Sequence, residues 1–205
     1  LPHEQALADA KKLLASANET PASPAVDDFR RVITRSEPEK KWNVILVCME
    51  SMSGEYMSYL GNKTDLTPCL NRLATQSLFF ENLYATGTRT VRGMEALTLN
   101  LPPTPGQAII YRPEGTNLTT TFSPFIDRGY DCAFFYGGDG RFDFMNRYYS
   151  TAGCRIMDGG AWNQQDVTMK TSWGACDEDL FRKTLSEADA DHAAGRPFHY
   201  FCMTT

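Results

Sequence analysis

A short segment at residues 83–95, LYATGTRTVRGME, concentrates side chains that could act on a negatively charged group. It sets three threonines and two arginines around two glycines, with an apolar segment on either side. Guanidinium groups neutralise phosphate oxygens, and glycines let backbone N–H groups approach an anion closely. Taken alone, the stretch GTRT is better explained as an exposed polar turn, so its function depends on what the fold brings to it.

Thr90 is the hydroxyl of this segment that could act as a nucleophile. A threonine hydroxyl is weakly nucleophilic unless a neighbouring base or a metal ion lowers its pKa. Glu50 could supply that partner, because it directly follows the apolar run 44–49, and a carboxylate at the end of a core strand is poorly solvated. If both share a cation, the hydroxyl faces a phosphate as an alkoxide. An ion pair or a contact with a helix N-terminus explains Glu50 alone equally well.

Apolar runs and helical periodicity must provide the frame that brings these residues together. Strands are predicted at 44–49, 130–136 and 198–203, with the first buried on both faces of a parallel sheet. Helical spacing occurs at 4–15, 68–77, 94–99, 119–128 and 177–190, and a short strand is predicted at 79–84. This alternation predicts an α/β fold, a three-layer sandwich with a mainly parallel central sheet flanked by helices, incomplete in this chain.

The carboxyl ends of the predicted strands place several polar residues on one edge of the sheet. Glu50, the turn at 137–140 and residues 204–205 each follow a predicted strand. Because ligands of α/β folds bind at this edge, we expect the functional site there.

Composition excludes several other classes of protein. A net charge of −5 argues against nucleic acid as a partner, since phosphate backbones attract basic surfaces. The longest apolar run, 44–49, is far too short to span a bilayer. None of the six cysteines forms a CxxC pair, which disfavours a zinc knuckle, while Cys154 and Cys176 could pair in an oxidising compartment.

Five segments together resemble the alkaline phosphatase superfamily, over residues 42–205. They are NVILVCMES at 43–51, TPCLNRL at 67–73, FENLYATGTRT at 80–90, YGGDG at 136–140 and WGACDEDLF at 173–181. Their order is most similar to the sulfatase-like phosphoglycerol transferases, the branch that contains lipoteichoic acid synthase. The resemblance implies a metal-dependent phosphotransferase or hydrolase that acts on phosphodiester headgroups through a phospho-threonine intermediate.

The resemblance also implies roles for individual residues. Glu50 is expected to bind the metal ion, and Thr90 is expected to be both the nucleophile and a metal ligand, with Thr88 as the alternative. Arg89 and Arg92 are expected to bind the phosphate oxygens of the substrate. The metal ion is expected to be Mn²⁺, with Zn²⁺ or Mg²⁺ as alternatives.

Two features set the limits of the resemblance. Asp139 is expected to contact the substrate headgroup, but a solvated turn aspartate explains it equally well. The Asp-His pair that completes the metal site of the family does not occur in this sequence, and neither does its further histidine. His3, His192 and His199 lie outside motif positions, so this chain supplies about half of the expected site.

Other activities of the same fold remain as alternatives. A type I sulfatase, which hydrolyses sulfuric esters, is disfavoured because it requires Cys or Ser followed by Pro and Arg at fixed spacing, and no such stretch occurs. A phosphoethanolamine transferase also uses Glu and Thr ligands, and a phosphomutase is a weaker option. A noncatalytic module would use Arg89, Arg92 and Asp139 only to recognise an anionic glycan or glycerophosphate.

The expected organisation and location follow from the same relatives. Residues 1–40 are predicted to be an N-terminal helix and linker segment, and 41–205 the N-terminal portion of a sulfatase-like catalytic domain. The branch is anchored by transmembrane helices, which implies the inner membrane with this domain on the periplasmic side. The expected partners are a phospholipid or glycerophosphate donor and a hydroxyl acceptor, with no nucleic acid.

Overall fold

The chain forms two compact units, Leu1–Lys41 and Trp42–Thr205. The computed structural model describes residues 2–34 and 36–205, so Leu1 and Arg35 of the predicted N-terminal segment lie outside the described residues. Among the described residues, no helix combines the length and the apolar character that crossing a bilayer requires.

The N-terminal unit contains one helix and one antiparallel strand pair. Helix α1 (His3–Leu13) confirms the predicted helix. The expected linker instead contains β1 (Glu19–Pro21) and β2 (Arg31–Ile33), which pair with Glu19 opposite Ile33. Three-residue strands are too short to show the alternation of polar and apolar residues by which strands are predicted.

The second unit is built on a four-stranded parallel sheet in the order β3-β6-β4-β5. Its strands are β3 (Val44–Cys48), β4 (Asp131–Tyr136), β5 (Arg155–Asp158) and β6 (Phe198–Met203). The strands predicted at 44–49, 130–136 and 198–203 and the α/β fold with a mainly parallel sheet are confirmed. Strand β5 was not predicted, because its four residues begin with an exposed arginine and offer no apolar run.

The two central strands, β4 and β6, are buried on both faces and divide the core into two apolar clusters. Phe134, Tyr136 and Phe201 point into one cluster, and Phe135 and Tyr200 point into the other. Each large side chain buried in this way contributes about 1.5–3 kcal/mol to stability. The resulting rigidity holds the carboxyl edge of the sheet, where the candidate residues lie.

Strand β3 differs from the prediction that it is buried on both faces. Leu46 and Cys48 pack against the core, whereas Ile45 and Val47 stay 37% and 40% exposed. The strand lies at the edge of the described sheet, where it has a neighbouring strand on one side only. Its continuous apolar run therefore does not mean that both faces are buried here.

Helices flank the sheet, and the bounds of the predicted ones differ from the prediction. They are α2 (Pro68–Ala74), α3 (Thr90–Leu99), α4 (Ser123–Ile126), α5 (Met145–Thr151) and α6 (Asp177–Ala193). Short 3-10 turns occur at Gly54–Tyr56, Ser58–Leu60, Ile109–Tyr111, Phe142–Phe144 and Gln164–Asp166. Helix α5 was not predicted, and α3 begins four residues earlier than predicted. That earlier start makes Thr90 the first residue of a helix.

Two smaller predictions have different outcomes. The predicted strand at 79–84 is wrong, since these residues form no strand and Phe80, Leu83 and Tyr84 are exposed. The possible pairing of Cys154 with Cys176 does not occur, because both thiols are free. Burial raises the pKa of the Cys154 thiol, so this side chain behaves as a small apolar residue of the core.

Candidate active site

Glu50 and Thr90 meet at the carboxyl edge of the sheet, although 40 residues separate them in the chain. The Thr90 hydroxyl donates a hydrogen bond to Glu50 Oε2, with an oxygen–oxygen distance of 3.0 Å. The hydroxyl that reaches Glu50 is therefore that of Thr90, and Thr88 is exposed to solvent. Strand β3 delivers the carboxylate and helix α3 delivers the hydroxyl.

Helix α3 fixes the position of Thr90. Val91 and Met94 are buried in the core, so the helix cannot rotate without losing apolar contacts. The first amides of a helix lack partners within the helix and give its N-terminus a partial positive charge. An anion that forms at Thr90 is stabilised by this end of the helix by about 0.3–1 kcal/mol.

The neighbouring strand β6 fixes the backbone of Glu50. The Glu50 amide donates to Thr204 Oγ1 at 2.8 Å, and the Thr204 amide donates to the Cys48 carbonyl at 3.1 Å. The Ser51 hydroxyl donates to Glu50 Oε1 at 3.2 Å, which leaves Oε2 for Thr90. The expectation that Glu50 is poorly solvated is wrong, since the residue is exposed beyond the end of an edge strand.

These residues line an open cavity of about 410 Å³, which we call the Thr90 cavity. Its wall consists of Glu50, Ser51, Arg89, Thr90, Tyr136, Phe142, Asp143, Met145, Trp173, Met203, Thr204 and Thr205. Arg89 precedes α3, and its backbone carbonyl accepts from the amides of Arg92 and Gly93. Its guanidinium group makes no hydrogen bond or ion pair within residues 2–34 and 36–205. Its guanidinium group is therefore available to an anionic ligand in the cavity.

Backbone strain concentrates around the Thr90 cavity. Ser51, Asp143 and Phe144 adopt the left-handed conformation, with φ of 54°, 52° and 56°. For residues with a Cβ atom this conformation costs roughly 1–2 kcal/mol each. Ser51 and Asp143 both line the cavity, so the strain places these side chains beside Thr90 and Glu50.

Burial also keeps the tyrosines of this region protonated. Burial raises the pKa of Tyr136, and the nearby negative charge of Glu50 adds to the effect. Burial, followed by its hydrogen bond to Asp143, raises the pKa of Tyr111 to about 12. Both phenols therefore remain neutral hydrogen-bond donors over the physiological range of pH.

Arg92, predicted to bind substrate, does not line the Thr90 cavity. Its guanidinium group donates to Glu95 Oε2 at 3.2 Å and to the Gly106 carbonyl. The Glu95 carboxylate is only 2% exposed and also accepts from the amides of Ile109 and Ile110. Arg92 thus neutralises the buried Glu95 carboxylate. That carboxylate in turn holds the loop after α3 through its hydrogen bonds.

The two glycines beside Thr90 differ in their surroundings. A Cβ atom on Gly87 would lie 2.7 Å from the Cβ atom of Arg92, so the close approach there requires glycine. A Cβ atom on Gly93, inside α3, would contact nothing within 4 Å. Local packing therefore requires glycine at position 87 but not at position 93.

Asp139, also predicted to bind substrate, lies on a second cavity of about 520 Å³, which we call the Asp139 cavity. Its wall consists of Gly137, Gly138, Asp139, Arg141, Asn146, Asp158, Gly159, Gly160, Lys170, Ser172, Trp173 and Gly174. Arg141 pairs with Asp139 at 2.5 Å, and this contact lowers the pKa of Asp139 to about 2. Trp173 lines both cavities and is the wall that they share.

The oxygens of Glu50 and Thr90 suit a divalent metal ion. Two oxygens 3.0 Å apart can bind one cation, since oxygen ligands lie about 2.0–2.6 Å from Mg²⁺ or Ca²⁺. Within the described ranges, no three His, Cys, Asp or Glu side chains form a group that could hold a metal ion. The described residues therefore fit a hard cation but supply only two of its ligands.

Several residues of the Thr90 cavity were missed by sequence reasoning. Ser51 and Asp143 carry polar groups that are common in any turn, and only their convergence with Thr204, which was expected at this edge, shows a site. Trp173 also lines the cavity, and its place in the family-like segment at 173–181 was the available signal in the sequence.

Comparison with known proteins places this geometry in a family. Residues 42–205 match the family model described as Sulfatase. A protein of the alkaline phosphatase superfamily from Vibrio parahaemolyticus has a similar structure, with 31% sequence identity and a TM-score of 0.76. The match covers 82% of this chain and 41% of that protein.

A second solved structure, lipoteichoic acid synthase LtaP from Listeria monocytogenes, shares the fold with 16% identity and a TM-score of 0.72. It is matched over 81% of this chain and 41% of its own length, so this chain spans less than half of either protein. The predicted resemblance to the alkaline phosphatase superfamily is confirmed, and the chain belongs to the sulfatase family of that superfamily.

Proposed function

We propose that the protein is a metal-dependent phosphotransferase or hydrolase that cleaves phosphodiester headgroups, with Thr90 as the nucleophile. The observation that carries this proposal is the 3.0 Å contact between Thr90 Oγ1 and Glu50 Oε2 at the carboxyl edge of the sheet. An alcohol held against a carboxylate, beside a guanidinium group that has no ion-pair partner among the described residues, matches what attack on a phosphate ester needs.

The first step forms a bond from Thr90 Oγ1 to phosphorus and breaks the bond from phosphorus to the leaving alcohol. The Thr90 proton leaves along its hydrogen bond to Glu50 Oε2, and the electron pair of the broken bond goes to the leaving oxygen. In the second step an acceptor hydroxyl or water attacks the phospho-threonine. Phosphorus then bonds to the acceptor oxygen, whose proton passes to water, and Thr90 Oγ1 takes back the electron pair together with the proton held by Glu50.

Positive charge at the site favours the transition state more than the ground state. Arg89 is oriented into the Thr90 cavity and would neutralise the phosphoryl oxygens, and the N-terminus of α3 adds its partial charge. A divalent metal ion bound to Glu50 and Thr90 would lower the pKa of the hydroxyl and stabilise the charge on the phosphoryl group. We favour Mn²⁺, with Zn²⁺ or Mg²⁺ as alternatives.

The substrate class follows from the branch of the family that the motifs resemble. LtaP is a lipoteichoic acid synthase, and we infer phosphoglycerol-type transfer from a phospholipid or glycerophosphate donor to a hydroxyl acceptor. We also infer that the whole protein is anchored in the inner membrane, with residues 41–205 forming part of a catalytic domain on the periplasmic side. Residues 1–40 would connect that domain to the anchor.

Arg92 and Asp139 keep narrower roles in this proposal. Arg92 acts through Glu95 and the loop after α3 rather than by direct contact with substrate. Asp139 can reach a substrate only through the Asp139 cavity, where Arg141 already pairs with it. Phosphoethanolamine remains the alternative headgroup, because nothing in the Thr90 cavity selects glycerol.

Replacement of Thr90 by alanine in the full-length protein tests the proposal. We expect loss of at least about 1,000-fold in turnover of a phosphodiester substrate, because the nucleophilic oxygen is removed. Thr88→Ala is the matched control and should retain activity. Acid quenching of the wild type during turnover, followed by mass spectrometry, should locate phosphate on Thr90.

Retained turnover in Thr90→Ala, or phosphate mapped to Thr88, would refute the assignment of the nucleophile.

Glu50→Gln tests the metal site separately. The neutral amide is a poorer cation ligand, so we expect elemental analysis to show less bound metal than in the wild type. An unchanged metal content would remove Glu50 from the site, and a folded wild type with no phosphodiester turnover at all would favour a binding module.

A further inference from the structure

The Asp139 cavity lies directly beside the Thr90 cavity, and the proposed chemistry leaves it without a use. We propose that it binds the acceptor of the transfer reaction as a neutral polyhydroxylated molecule, a sugar or polyol. This inference rests on the proposed function, because an acceptor is needed only if phospho-Thr90 forms. Trp173 forms part of both walls, so one molecule can lie in the Asp139 cavity and extend a hydroxyl past Trp173.

The floor of the Asp139 cavity is rigid because backbone segments from three loops cross there. A Cβ atom on Gly159 or Gly174 would lie 2.4 or 2.3 Å from the Gly137 carbonyl oxygen. The Gly159 amide donates to the Gly138 carbonyl at 2.8 Å, and the Ala175 amide donates to the Gly137 carbonyl at 2.9 Å. The cavity is thus formed before any ligand arrives, and its volume falls within the usual range of about 300–1,000 Å³ for ligand sites.

The charges that line the cavity argue against a phosphate or a cation as its ligand. Asp139 and Asp158 oppose Arg141 and Lys170, so the side chains sum to zero charge. Asp139 is paired with Arg141, and Asp158 Oδ2 accepts from the Gly140 amide and the Asn146 side chain at 3.0 and 2.7 Å. A lining without net positive charge offers a phosphate-bearing donor no net electrostatic attraction, which disfavours the donor here.

The polar groups and the aromatic wall suit sugar hydroxyls. Each hydroxyl both donates and accepts hydrogen bonds, and the cavity offers donors from Lys170 and Ser172 beside the acceptor oxygens of Asp139. Trp173 is 62% exposed and is supported edge-on by Phe142 at a centroid distance of 5.9 Å. An exposed indole presents an apolar, electron-rich face on which the C–H groups of a sugar ring can pack.

The transfer step needs no reactant other than phospho-Thr90, the acceptor and water. The acceptor oxygen bonds to phosphorus, the bond from phosphorus to Thr90 Oγ1 breaks, and the acceptor proton passes to water. Water competes with the acceptor for phospho-Thr90. Filling the Asp139 cavity should therefore suppress transfer while donor cleavage and hydrolysis continue.

Gly160 allows the cavity to be filled without disturbing its floor. A Cβ atom there would have as its nearest contact Asp158 Oδ1, at an ordinary 3.4 Å, and the residue lines the cavity without a left-handed φ. Gly160→Phe should therefore occupy the Asp139 cavity and leave the Thr90 cavity open. Ala161→Phe is the matched control, because it adds the same ring one residue away on an exposed position that does not line the cavity.

The experiment uses the full-length, metal-loaded protein with a 4-nitrophenyl phosphodiester as donor and maltose as acceptor. Nitrophenolate release reports donor cleavage, and mass spectrometry reports the phosphorylated sugar. In Gly160→Phe we expect the KM for maltose to rise at least about tenfold, with nitrophenolate release without maltose within about twofold of the wild type. Ala161→Phe should match the wild type in both.

Three kinetic results would overturn the inference. They are an unchanged KM for maltose in Gly160→Phe, equal loss of transfer and donor cleavage in that variant, and no maltose-dependent transfer by a wild type that cleaves the donor. If the wild type does not cleave the donor, the proposed function fails and the acceptor role fails with it, and binding then decides only whether the Asp139 cavity is a sugar site. Saturation-transfer NMR of maltose should then show binding to the wild type and Ala161→Phe but not to Gly160→Phe or Trp173→Ala; any other pattern overturns it.

Discussion

The two cavities at the carboxyl edge of the sheet differ in how their charged groups are used. In the Thr90 cavity, the guanidinium group of Arg89 has no partner in the described part of the chain, and the hydrogen bonds that the Glu50 carboxylate accepts there come from two hydroxyl groups. In the Asp139 cavity, the carboxylates of Asp139 and Asp158 already have strong donors. Groups without partners are available to a reacting phosphate, whereas groups with partners maintain the shape of a binding surface.

The same contrast separates the two arginines near Thr90. Arg89 and Arg92 lie less than one helical turn apart, yet one faces the Thr90 cavity and the other pairs with a buried carboxylate. Their residue type is the same, so their roles differ only through the surroundings that the fold gives them.

Arg92→Ala should destabilise the protein by about 3 kcal/mol, because it leaves the buried Glu95 carboxylate without its compensating charge. Denaturant unfolding measures this change.

Arg89→Ala should leave the free energy of unfolding within about 0.5 kcal/mol of the wild type. It should lower turnover about 100-fold, because it removes a positive charge from beside the reacting phosphate. The opposite pattern would reverse the roles of the two arginines.

Gly159→Ala should destabilise the protein by about 2 kcal/mol, because its methyl group collides with a backbone oxygen that cannot move freely. Gly160→Ala is the neighbouring control and should change the free energy of unfolding by less than about 0.5 kcal/mol. Thermal unfolding of both variants measures the difference. Similar stabilities would show that the floor of the Asp139 cavity is not closely packed.

Gly93→Ala should stabilise the protein by about 1 kcal/mol, since alanine favours a helix interior and its methyl group meets no neighbour. Gly87→Ala is the contrasting variant, because its methyl group would collide with the side chain of Arg92. Chemical denaturation distinguishes them. A destabilised Gly93→Ala variant would show that residue 93 has a neighbour outside the described residues.

Asp139 should remain ionised down to a pH of about 2, because its hydrogen bonds with Arg141 stabilise the carboxylate. A lowered carboxyl pKa contributes stability above the ordinary value of 3.8, and that contribution is lost as the pH falls through about 2. NMR titration of the Asp139 carboxyl carbon measures this directly. In Arg141→Ala the midpoint should rise toward 3.8, and an unchanged midpoint would show that the pair does not form in solution.

Sequence reasoning worked best where a single pattern determines the structure. Long apolar runs identified β3, β4 and β6, and the order of the strands placed Glu50 at the edge where Thr90 also lies. The assigned roles of these residues stay predictions until the variants are measured. Short elements such as β1, β2 and β5 escaped because three or four residues carry too little periodicity.

Partners that depend on burial were harder to predict. Glu95 lies three residues after Arg92 on α3, a spacing typical of surface ion pairs, and only the packed core shows that Glu95 is buried. Arg141 follows Asp139 by two residues in a turn, where their pairing depends on local backbone conformation. The composition of these segments indicated a region that binds anions. It did not indicate that Arg92 would already be paired with Glu95, or Arg141 with Asp139.

Because α3 begins at Thr90, the position of the Thr90 hydroxyl depends on how this helix packs in the apolar core. Eight residues further along, the Thr98 hydroxyl contacts the Tyr148 hydroxyl at 2.6 Å, so the far end of the helix is tied to α5. A helix transmits displacement along its axis, because each residue adds 1.5 Å of stiff backbone. Mutations deep inside the protein, at Met94 or Tyr148, would thus shift the Thr90 oxygen that we propose as the nucleophile without touching any ligand. The rate of an evolving variant would then depend on residues remote from the reaction.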